Sequence, residues 1–136
     1  MKNNDFLPLA RERANTWTHL FGAAFALSSI WLVWPSAQMG WQMALGVAFF
    51  VLGMFLMFLS STLYHWAPEG AVKQALRKCD HISIYVMIAC SYSPICIGVV
   101  GGWIGWTAFA VQWVLGLFLC FQIPPNCAEC DKSGQI

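Results

Sequence analysis

The stretch WQMALGVAFFVLGMFLMFLSSTLY, residues 41–64, decides the fold. It contains no charged side chain, and as an α-helix it runs about 36 Å, enough to cross a hydrocarbon core of about 30 Å. Outward from it, three more apolar stretches of similar length follow the same logic, roughly Trp17–Trp34, Ile82–Gly101 and Trp103–Ile123. The whole chain of 136 residues is 59% hydrophobic and 10% charged, with a mean hydropathy of +0.61. A soluble domain of this size buries too little of its chain to hide that much apolar surface. The expected fold is therefore all-α, a polytopic transmembrane bundle of four spans within residues 1–123, followed by a polar tail over residues 124–136. A cleaved signal peptide does not account for the first span, whose apolar run is longer than a signal's and is followed by three others.

The basic residues orient the bundle. Lys2, Arg11 and Arg13 precede the first span; Lys73, Arg77 and Lys78 separate the second from the third; Lys132 lies in the tail. The connections after spans one and three have no Lys or Arg. All basic residues thus fall on one side, which the positive-inside rule makes cytoplasmic, with both termini inside. Trp17, Trp31, Trp34, Trp41, Trp66, Trp103 and Trp106 sit near span ends, where an amphipathic ring favours the headgroup level. Pro68–Lys78 reads as a short amphipathic connector, with Ala71, Ala75 and Leu76 toward lipid and Lys73, Arg77 and Lys78 toward anionic headgroups. Net charge is +1 and no basic patch interleaves with aromatics, so nucleic-acid binding is not expected.

Against this apolar background a few polar residues stand out. Glu12, Asn15 and His19 are spaced i, i+3, i+7 and share a helix face; Ser61 and His65 are spaced i, i+4 and share another. With span one leaving the cytoplasm and span two returning, both groups reach the inner-leaflet level, where Asp80 opens span three. Ionisable groups beside hydrocarbon are costly and usually have a partner, an ion or a chemical role. A carboxylate, an imidazole and a hydroxyl converging there make a candidate metal or acid/base site. The plainer reading gives Glu12 a helix N-terminus to stabilise and His19 a hydrogen bond between helices.

These residues carry a resemblance. Glu12-Arg-Ala-Asn-Thr-Trp-Thr-His19 resembles the first motif of the hemolysin III family, the bacterial branch of the progestin and adipoQ receptor (PAQR) superfamily. Ser60-Ser-Thr-Leu-Tyr-His65 and Lys78-Cys-Asp-His-Ile-Ser-Ile84 resemble its second motif and the following helix, and Ala89-Cys-Ser-Tyr-Ser-Pro94 continues the match. The resemblance covers roughly residues 10–123. It implies a multi-pass protein of the bacterial inner membrane and a zinc ion near the inner leaflet. His65 would be one zinc ligand, with two later histidines four residues apart as the others. Ser61 and Asp80 would then hold and polarise a zinc-bound water, in a site with one open position. The chemistry implied is hydrolysis of a lipid amide or related bond.

The chain departs from that pattern. The family has seven spans, and its later histidine pair has no counterpart here, where the histidines are His19, His65 and His81. The polar tail is what a frameshift or early stop after span four would leave; either another chain supplies the missing part or the copy is inactive, and the second is expected. A substitute triad of His19, His65 and His81 is geometrically open but unsupported by the resemblance. Cys127-Ala-Glu-Cys130 has metal-ligand spacing without a completing pair; Cys90, Cys96 and Cys120 read as small apolar packing groups. Three functional classes stand at this point: a zinc-dependent lipid hydrolase or its remnant, a membrane-perturbing cytolysin, and a non-catalytic or receptor-like membrane protein. Polar groups gathered at one end, not along whole helices, argue against a water-filled pore.

Overall fold

The computed structural model describes residues 6–123, and every element in them is helical. Helix α1 (Phe6–Ser28) passes through a 3₁₀ turn (Ser29–Leu32) into the short α2 (Val33–Gln38), and a turn at Met39 and Gly40 leads to α3 (Trp41–Trp66). After Pro68–Gly70 comes α4 (Ala71–Ser93), which runs on as a π-helical stretch (Pro94–Val100) before α5 (Gly102–Phe121). Four columns are long and apolar enough to cross a membrane: Ala10–Gln38, Trp41–Trp66, Ala71–Val100 and Gly102–Phe121. They coincide with the four expected spans and mostly outrun them.

One expectation is corrected. Ala71–Lys78 is not a separate connector lying on the headgroups but the first two turns of α4, continuous with the third span. Ala, Leu, Gln, Lys and Arg are all good helix formers, and a helix need not be apolar where it leaves the hydrocarbon. The column Ala71–Val100, 30 residues long, runs about 45 Å and outspans a hydrocarbon core of about 30 Å. Asp80 therefore lies well inside a helix whose N-cap is Gly70.

Small residues set the packing. Along α3, Gly46, Gly53 and Ser60 recur at seven-residue intervals and face Pro94, Cys90 and Ser83 of the antiparallel third column. Without a hydrophobic drive between helices in lipid, such close approach supplies the dispersion contacts and hydrogen bonds that hold them. On its other side α3 receives α1, where Gly22 lies against the Phe58 ring and Ala23 and Ala26 are buried. Pro94 has no N–H to return to the Cys90 carbonyl, and the helix widens into π geometry from that point. Gly105 then fits against the Cys96 carbonyl, and Phe49 stacks with Phe109 and Trp113 at 5.7 Å each, fastening α5 to α3 and the third column. A third of the apolar window of column three is buried, against 11% for α5, so the third column is the interior helix and α5 a peripheral one.

Candidate functional site

Antiparallel packing brings the start of α1, the end of α3 and the start of α4 to one end of the bundle. Every charged residue among those described lies there: Arg11, Glu12, Arg13, Glu69, Lys73, Arg77, Lys78 and Asp80. Within that end the structure joins residues far apart in sequence. His65 Nδ1, in the last turn of α3, is 2.8 Å from Glu12 Oε2 on α1. The other carboxylate oxygen of Glu12, Oε1, is 3.7 Å from Lys73 Nζ on α4. Lys73 also pairs with Glu69 at 2.8 Å and stands 5.5 Å from the centre of the Tyr64 ring.

Burial ranks these contacts. The Glu69 side chain is 88% exposed, so its pair with Lys73 is of the screened surface kind that adds little. Lys73 is only 12% exposed, His65 16% and Glu12 37%, and their contacts join three different helices. The Cα traces of α1 and α4 do not come close among the described residues, so Lys73 reaches α1 through its side chain alone. His19 sits beside this group, its ring 5.6 Å from that of His65 and 5.9 Å from that of Phe58, with Nδ1 buried and unpartnered among the described residues.

The expected site residues distribute unevenly. Ser61 is buried on α3, one turn before His65. Asp80 is half-buried on α4, and its backbone carbonyl accepts the Ser83 hydroxyl at 2.7 Å. Among the described residues no hydrogen bond links the Asp80 carboxylate to Ser61 or His65. The serine that crosses to α4 is Ser60, whose hydroxyl meets that of Ser83 at 2.8 Å. His81 is exposed and bonds through Nδ1 to the Arg77 carbonyl of its own helix. Lys73, expected at the headgroups, is instead an inward-turned partner of Glu12. The one sequence signal for part of this was the i, i+4 spacing of Glu69 and Lys73, which places Lys73 in a charge pair but does not reveal Glu12.

A catalytic zinc site needs three protein ligands and an open position. Among the described residues no group of three His, Cys, Asp or Glu side chains is placed to hold an ion. Of the two nitrogens of His65, Nδ1 is engaged by Glu12 and Nε2 remains for a ligand's role. The described residues therefore do not by themselves fit zinc. Cys127, Cys130 and the rest of the expected tail lie outside the described residues.

Comparison with known proteins places the chain. The model of the family "Haemolysin-III related" matches residues 8–129. Hemolysin-3 of Bacillus cereus is 34% identical over 108 residues, covering 78% of this chain and 49% of that protein. The Hemolysin-3 homolog of Bacillus subtilis (strain 168) is 34% identical over 114 residues, 80% of this chain and 52% of its own. The chain thus spans about half the length of the curated relatives it matches. No solved structure matches it.

Proposed function

Since the chain belongs to the hemolysin III family, we propose that it carries part of a site acting on lipid from the inner leaflet, centred on His65. The observation that carries this reading is the Glu12–His65 pair at 2.8 Å, half-buried at the end of the bundle where every charged residue among those described lies. A desolvated imidazole held by a carboxylate is an arrangement suited to ligating a metal or moving a proton. Placed at the lipid headgroups, it would meet the ester or amide linkages of a lipid substrate. Ser61, one turn away on α3, and Asp80 on α4 are proposed as groups that orient a water or the lipid there. The basic residues of this end, Arg11, Arg13, Lys73, Arg77 and Lys78, favour the cytoplasmic face of the bacterial inner membrane.

Zinc enters the proposal only as the ion of a completed site, with His65 as one ligand and the others supplied from outside the described residues. Metal analysis of protein purified without chelators tests it. This chain alone should hold no stoichiometric zinc, while a chimera extended by the unmatched half of the Bacillus cereus relative should hold one ion, lost on His65→Ala. Zinc retained by the chimera after His65→Ala would refute the assignment. The relatives' name supports a second reading, membrane-perturbing cytolysis, and release of dye from vesicles containing the purified chain would favour that instead.

A further inference from the structure

We propose that Glu12 is a positioning residue for His65. Its carboxylate, itself held by Lys73, keeps the imidazole in the tautomer protonated at Nδ1, so that Nε2 is the atom offered to whatever the site binds. The proposal deepens the reading of His65 as the centre of the site and takes its functional meaning from it.

The direction of the hydrogen bond follows from the charges around it. An ionised carboxylate only accepts, so at 2.8 Å the proton between Glu12 Oε2 and His65 must sit on Nδ1. The other oxygen, Oε1, which His65 does not use, faces the Lys73 ammonium at 3.7 Å, a group that only donates. The two oxygens of one carboxylate are thereby divided between two helices, the imidazole of α3 on one and the ammonium of α4 on the other. Lys73 is itself held, between Glu69 at 2.8 Å and the face of Tyr64 at 5.5 Å. Its position depends on the short turn before α4, where Gly70 adopts φ 151°, a value L side chains rarely take.

Ring packing limits the alternatives. The ring of Tyr64, the preceding residue of α3, lies 4.9 Å from that of His65, and the ring of His19 on α1 lies 5.6 Å away, which restrains reorientation of the imidazole. Among the described residues Nδ1 has its partner in Glu12, and the hydrogen bond to one ring nitrogen decides which nitrogen is left as the lone-pair donor. A carboxylate behind a histidine also fixes its plane. Glu12 stands on the first helix, 53 positions before His65, so the arrangement makes the state of one imidazole depend on the docking of α1.

The test is nitrogen-15 spectroscopy of the whole chain, labelled at histidine and held in lipid nanodiscs on the alkaline side of neutrality. His65 is assigned by its loss in His65→Asn. The expected spectrum has a proton on Nδ1 and a bare Nε2. Glu12→Met, close in shape but with no acceptor, should shift His65 to the Nε2–H tautomer that free histidine side chains favour. Lys73→Met should produce a mixture of the two. A wild-type His65 protonated at Nε2, whether as the other tautomer or as an imidazolium, overturns the proposal without any variant. So does an Nδ1–H signal unchanged in a Glu12→Met protein whose circular dichroism and melting match the parent. Because the readout needs no ion and no substrate, its failure is separate from failure of the His65 assignment, which the metal analysis of the completed protein addresses.

Discussion

Gly46 lies against the backbone of Pro94: a β-carbon at position 46 would stand 2.5 Å from the Pro94 Cα. Neither side can yield, because one is helix backbone and the other a proline ring at the start of the π-helical stretch. Gly46→Ala should therefore destabilise the protein by about 1–3 kcal/mol, as overpacking does. Gly116→Ala is the control. Its nearest contacts are ordinary ones at 3.5 and 3.7 Å, so it should leave stability unchanged or raise it by up to about 1 kcal/mol through helix propensity. Thermal unfolding in detergent, followed by helical circular dichroism, should separate the two; equal melting points would contradict the close approach.

Ser60 and Ser61 should differ in kind. Removing the Ser60 hydroxyl loses the 2.8 Å contact to Ser83, but Ser83 keeps its own bond to the Asp80 carbonyl, so no buried donor is orphaned. Ser60→Ala should cost about 0.6 kcal/mol, the typical value of an interhelical hydrogen bond in a membrane protein. A double-mutant cycle with Ser83→Ala should recover most of that as coupling, and a cycle of Ser61→Ala with Ser83→Ala should recover none.

Asp80 cannot act as a helix cap, since α4 begins at Ala71 and is preceded by Gly70. Asp80→Asn should accordingly change stability by less than about 0.5 kcal/mol, the usual range away from buried networks. If Asp80 orients a water in the proposed site, lipid hydrolysis by a completed chimera should fall about 10²–10⁴-fold on the same substitution. Unchanged turnover would remove Asp80 from the mechanism.

Reporter fusions should place Gly40 and Gly102 on one side of the membrane and Glu69 on the other, with Glu69 cytoplasmic. Glu69 reporting outside would reverse the orientation and put the site at the outer leaflet. Glu69 and Gly40 on the same side would contradict α3 as a span.

Length and apolarity made the four spans legible, because a hydrocarbon core imposes both on any helix that crosses it. The end of the bundle at which the charged residues among those described gather was legible too, from chain direction alone. What periodicity could not supply is which neighbour each face of α3 meets. Ser60 turns to Ser83 on α4, whereas His65 turns to Glu12 on α1, so residues five apart on one helix belong to two different seams. Asp80, one turn before Ser83, belongs to the first seam. Depth places Asp80 and His65 at the same end of the bundle, but it cannot decide whether the two pair. Lys73 was misread for a related reason: a lysine near headgroups and a lysine turned onto a buried carboxylate look alike until the partner on another helix is known.

The division of charge between the two ends also bears on how the chain enters a membrane. Met39 and Gly40, which join α2 to α3, lie between Trp34 and Trp41, and Gly101, which joins the third column to α5, is followed by Trp103 and Trp106; neither connection carries a formal charge. Each pair of columns can therefore insert as a helical hairpin, tip first, without dragging an ion through hydrocarbon, a step that costs about 2.5–3.5 kcal/mol for each Lys, Arg or Asp at the centre. The charged feet of the two hairpins lie at the same end, where Lys73 of the second reaches Glu12 of the first at 3.7 Å and joins the two halves.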